Sequence, residues 1–118
     1  MRDTFSVLNN IASSTGWTPA TGALDGNIVT TIWEPYRDSG GTDTVVLSYD
    51  LVNQGTPILK VEGRVHSSDS WKTLVEFNPL TFATPQPSGV VSEIVATPQL
   101  RVTITGTGAA INSVYLAE

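Results

Sequence analysis

The sequence predicts an all-β domain: a two-sheet antiparallel β-sandwich, jelly-roll or immunoglobulin-like, with 7–8 strands. Three observations carry this. Apolar and polar residues alternate with a period of two in segment after segment. Clusters of Gly, Pro, Asn, Asp and Ser separate those segments. No stretch keeps a helical period over several turns.

Residues 1–26 are the least regular. Phe5, Val7, Leu8 and Ile11 suit one short strand, and Thr15 to Pro19 and Thr21 to Gly26 read as turns. This stretch is either an N-terminal arm onto a neighbour or a plain edge strand and loop. Asn27 to Trp33 is a strand, with Ile28, Thr30 and Ile32 opposed to Val29, Thr31 and Trp33. Glu34 to Asp43 is a loop, because Pro35 disfavours a central strand and Gly40-Gly41 adds freedom. Thr44 to Leu51 is a strand with Val45, Leu47, Tyr49 and Leu51 on one face, and Asn53-Gln54-Gly55 turns the chain.

Pro57 to Phe77 reads as a hairpin. Leu59, Val61, Gly63 and Val65 share one face, and Ile58, Lys60, Glu62 and Arg64 the other. After the turn Ser67 to Ser70, Trp71, Thr73, Val75 and Phe77 share a face, which puts Trp71 in the core. Pro79, Pro85 and Pro87 make residues 78–88 a loop, since proline removes a ladder donor. Gly89 to Ala96 is a strand, ended by Thr97-Pro98. Leu100, Val102 and Ile104 alternate with Arg101, Thr103 and Thr105 in the next. Gly106-Thr107-Gly108 reads as a turn before a last strand, Ile111 to Ala117. The expected core includes Leu59, Val61, Val75, Phe77, Val102 and Ile104.

A length of 118 residues fits one domain, 1–118, large enough for an ordinary core. Cysteine is absent, which excludes disulfides and thiolate zinc sites. Charged residues make up 14% and the net charge is -5, with two lysines and four arginines scattered along the chain. Without a basic stripe, direct nucleic-acid binding is not expected. No apolar run approaches a membrane span, and residues 1–14 lack the apolar centre of a secretory signal.

Chemistry is harder to find. His66 is the single histidine, with Ser67, Ser68, Asp69 and Ser70 beside it. A catalytic triad is assembled in space, and neighbours in one turn rarely reach that geometry, so a turn histidine facing water is expected. Asp38 and Asp43 flank a flexible loop but lack the calcium-loop pattern, and no metal is expected. Gly106-Thr107-Gly108 lacks the lysine and helix of a phosphate loop. Trp17, Trp33, Tyr36 and Trp71 are the aromatics on which a sugar ring could stack, and Trp33 and Tyr36 beside the charged loop are the candidate carbohydrate contacts.

The run Val61-Glu62-Gly63-Arg64-Val65, then Ser68 to Leu74, then Phe77, is similar to a hairpin of small virion proteins of tailed bacteriophages. A second block resembles the same proteins: Pro98, Leu100-Arg101-Val102-Thr103-Ile104-Thr105-Gly106, Ala109-Ala110 and Val114 to Ala117. The likeness spans residues 57–118, and Arg64 and Ser70 depart from the pattern. It implies a non-enzymatic viral structural protein without cofactors: a capsid decoration (cement) protein, or a head-fibre or tail accessory. It further implies a homotrimer on the major capsid protein at the virion surface, with loops 34–43 and 78–88 or the N-terminal arm making contact. The alternative is a carbohydrate-binding module or host-surface adhesin on a fibre or tail.

Overall fold

The alternating segments become strands in a computed structural model, which describes residues 3–35 and 44–118. In chain order they are β1 (Thr4–Ser6), β2 (Ile11–Thr18), β3 (Ala23–Thr30), β4 (Thr44–Leu51), β5 (Ile58–Arg64), β6 (Lys72–Phe77), β7 (Ser88–Val95) and β8 (Gln99–Ala117). All pairings are antiparallel. The proline-rich stretch holds a short 3-10 turn, Pro79–Thr81, capped by Asn78, whose Oδ1 accepts from Leu80 N at 3.0 Å. No helix among the described residues is long and apolar enough to cross a membrane.

The pairs are nested. β5 pairs with β6, β4 with β7, β3 with the first part of β8, and β1 with its last residues. The chain is thus wound like one long hairpin rolled on itself, which is jelly-roll winding. β2 adds a further strand outside β3. β5 and β4 then seal the two parts of β8 from the other side.

β8 corrects the expectation of a turn at Gly106 to Gly108. It runs unbroken for 19 residues. Gly108 takes φ +64°, so the backbone can redirect without leaving the ladder. β3 keeps pairing as far as Ala110, so the hydrogen bonds do not run out there. Residues 103–105 therefore lie between β3 and β5, and residues 115–117 between β1 and β4.

The inward residues of both strand groups form one core. Leu24, Ile28, Leu59, Val61, Leu100, Val102 and Ile104 meet Val45, Leu47, Tyr49, Val114 and Leu116 in a single cluster. Tyr49 on β4 touches Phe77 on β6 edge to face, with ring centroids 5.4 Å apart. Each fully buried aliphatic side chain contributes about 1.5–3 kcal/mol. Val75 and Phe77 are half-buried and pack on that cluster from its margin. Val65 is exposed, because β5 stops at Arg64.

One open alternative is decided, in favour of the edge strand, and one further expectation changes. From Asp3 onward the N-terminal stretch is built into the fold as an edge strand and hairpin, with Phe5 and Val7 in the core, so it is not a free arm. In β6 the register slips: Val61 faces Val75, but Glu62 faces Thr73. The extra residue is a bulge, and a one-residue slip sends every following side chain to the other face. Trp71 therefore leaves the face of Val75 and Phe77. Of the loop 34–43, residues 36–43, including Tyr36, Asp38 and Asp43, lie outside the described residues.

Candidate functional site

The bulge in β6 builds the most elaborate side-chain cluster of the surface. On the outer side of β5 stand Lys60, Glu62 and Arg64, opposite Thr103, Arg101 and Gln99 of β8. Trp71 joins them half-buried. The Arg64 and Arg101 guanidinium carbons lie 4.3 and 4.4 Å from its ring centre. Arg101 Nε donates to Glu62 Oε1 at 3.0 Å, and this carboxylate is buried. Arg64 Nε donates to Gln99 Oε1 at 2.7 Å, and Gln99 Nε2 donates to Glu34 Oε1 at 3.2 Å. Arg64 and Arg101 are each held by an oxygen partner. The cluster displays a fixed indole and two oriented guanidinium groups, which suits recognition by shape and charge.

Charge is unevenly placed. The four cations among the described residues, Lys60, Arg64, Lys72 and Arg101, all belong to β5, β6 and the first part of β8. Asp3, Asp25, Asp50, Glu93 and Glu118 lie elsewhere with no described cation beside them in sequence. The sequence hid this grouping, because it depends on which strands pair. The readable signal was alternation: Glu62 and Arg101 each sit between inward residues.

The ring of Trp71 is half-buried, so its removal should cost less than a core aromatic. Trp71→Ala is expected to lose about 1–2 kcal/mol, from two cation–π contacts and partial burial. Urea unfolding measures this, and a loss of about 4 kcal/mol would return the ring to the core.

His66 sits in the exposed turn before β6. Its Nδ1 accepts Ser68 N–H at 3.1 Å and lies 2.8 Å from Ser68 Oγ. Asp69 does not orient the ring. It holds Lys72 Nζ at 3.1 Å and accepts from Ser70 N. The hydrogen bond from Lys72, together with its charge, keeps the Asp69 carboxyl below its ordinary value. A lowered carboxylate stabilises the fold above its unfolded value, and that contribution fades as pH falls through the folded one. On so exposed a pair, water and salt screen it. The serines and histidine are brought together as a turn, without the third partner that a triad requires.

The aromatic candidates separate. Trp33 is buried, 7% exposed, and stacks on Phe5 with centroids 5.5 Å apart. Its Nε1 donates to Asp3 Oδ2 at 2.8 Å. Backbone bonds with Leu100, at 2.8 and 2.9 Å, pin the residue against β8 and turn the ring inward. This corrects its placement as a surface sugar contact, and Tyr36 lies outside the described residues. Trp17, opposite the buried Leu24, is half-buried on the inner side of β2. Among the described residues no group of three or more His, Cys, Asp or Glu side chains is placed to hold a metal. The chain matches no protein-family model and no curated protein.

Proposed function

We propose that this chain is a non-enzymatic virion protein, a capsid decoration protein of a tailed bacteriophage that sits as a homotrimer on the major capsid protein. The resemblance of residues 57–118 to small virion proteins supports the class. Jelly-roll winding agrees with it, since this winding is frequent in viral capsid domains, although lectins use it too.

The observation that carries the reading is the outer face of β7, β4, β8 and β1. Val90, Ser48, Tyr115 and Ser6 form one row across four strands. Val90 is 65% exposed and Tyr115 41%. Val46, Ala117 and Thr4 form the row on one side of it, and Asp50 stands between Ser88 and Ser113 on the other. This face carries no described cation and a single carboxylate in these rows. Low charge with an exposed aromatic is the composition of an interface centre. A sheet also docks with little ordering cost, because its backbone is already fixed. Three copies around a local three-fold axis would multiply modest contacts through effective concentration.

Mass spectrometry of purified particles and cosedimentation with capsids test this. The double variant Val90→Lys, Tyr115→Lys should bind capsids at least about tenfold more weakly, because it buries two unpaired charges. Its fold stability should change little, as surface positions usually do. Absence from particles, or a monomer that never cosediments, would end the reading. Unchanged binding of the double variant would move the contact to loop 78–88.

A further inference from the structure

Beneath the β2–β3 hairpin lies an open groove of about 640 Å³. Trp17 and Ile11 on the inner side of β2 form one wall, and Leu8 and Ile111 continue the apolar surface. The exposed amides of Asn9 and Asn112 stand at its rim. The volume falls within the roughly 300–1,000 Å³ of small-molecule sites.

The groove is preformed. Gly22, in the hairpin turn, takes φ +72°, and a Cβ on it would lie 2.4 Å from Ile111 O. Ile111 N donates to Gly22 O at 3.0 Å. Glycine thus lets the turn lie directly on β8, and that bond fixes the distance between the walls. Ile11 and Trp17 are held by the ladder to β3, through Thr30 and Leu24.

Its chemistry selects a ligand. Every residue lining the groove is uncharged, in a chain of net charge -5. An anion would find no cation there, and a cation no carboxylate. A wholly apolar ligand would make no use of the rim amides, which would stay bonded to water. A ligand with an apolar face and hydroxyl edges satisfies both parts. The half-buried indole offers a flat surface, and each amide offers a donor and an acceptor to neighbouring hydroxyls.

We infer that this groove binds a neutral oligosaccharide, with one sugar ring on Trp17 and hydroxyls on Asn9 and Asn112. The site is separate from the Trp33 region and does not rest on the capsid reading, so either can fail alone.

The test is a titration of the isotope-labelled chain, followed by two-dimensional amide NMR. The probes are maltotriose, cellotriose, chitotriose and mannotriose, with 3'-sialyllactose as a charged counterpart. At least one neutral trisaccharide should shift the Trp17 indole N–H and the Asn9 and Asn112 side-chain amides. Trp17→Ala should weaken that binding at least about tenfold, as lost ring stacking usually does. Trp17 also packs on the core, so Asn112→Ala, at an exposed position, serves as the second variant. It should weaken binding by about threefold to tenfold, with Val65→Ala unchanged. No groove shifts with any neutral probe at millimolar concentration would overturn the inference. So would binding of the sialylated probe alone, or neutral-probe binding that survives both Trp17→Ala and Asn112→Ala.

Discussion

Ile104→Ala is expected to lose about 3–5 kcal/mol, the upper range for a buried aliphatic truncated to alanine. Ile104 is fully buried. It pairs with Ile28 of β3 on one side and Leu59 of β5 on the other. A central strand of two ladders cannot move toward the cavity without straining both, so relaxation is small. For a chain of this size the melting temperature should fall by roughly 10–20 °C. The melt should stay a single transition by circular dichroism and by tryptophan fluorescence. β8 is shared by both strand groups, and Trp33 joins Leu100 of one to Phe5 of the other. A two-step melt, or a loss under about 1 kcal/mol, would contradict the shared core.

The strand content was legible because period two is a local signal. Val45, Leu47, Tyr49 and Leu51 share one face and are buried as read. Leu59, Val61, Val102 and Ile104 behave the same way. What failed depended on pairing. Gly106 to Gly108 carries turn composition, yet β3 keeps bonding across it, and a partner strand outweighs local turn preference. The β6 bulge shows only in the register with β5, so Trp71 could not be moved from its apparent face by sequence alone. Trp33 borders a charged loop, so its ring could be read either as an exposed contact or as core. Its burial follows from a bridge to Leu100, far along the chain. The Arg64–Trp71–Arg101 cluster and the Trp17 groove join residues from distant strands, so neither leaves a compact motif.

Arg101→Ala is expected to lose about 2–3 kcal/mol, which is more than its distance from the core suggests. The carboxylate of Glu62 has a side chain only 9% exposed, and Arg101 is its ion-pair partner at 3.0 Å. Removing the cation leaves a desolvated charge, and breaking a fully buried pair in this way costs about 3–5 kcal/mol. The Arg101 side chain is 28% exposed, so water softens the loss. The indole contact at 4.4 Å goes with it. The double variant Glu62→Leu, Arg101→Met should recover to within about 1 kcal/mol of the parent, since it removes both charges and keeps the volume. A contrast lies nearby in Lys72→Ala, which breaks the pair with Asp69, whose side chains are 59% and 42% exposed. That change should leave the stability unchanged within the error of the unfolding measurement. Urea unfolding at low and high salt separates the cases, because salt screens exposed pairs far more than covered ones. If the double variant lost as much as the two single variants added together, the charges would not be coupled. The outer face of β5 would then be held by the Trp71 packing alone.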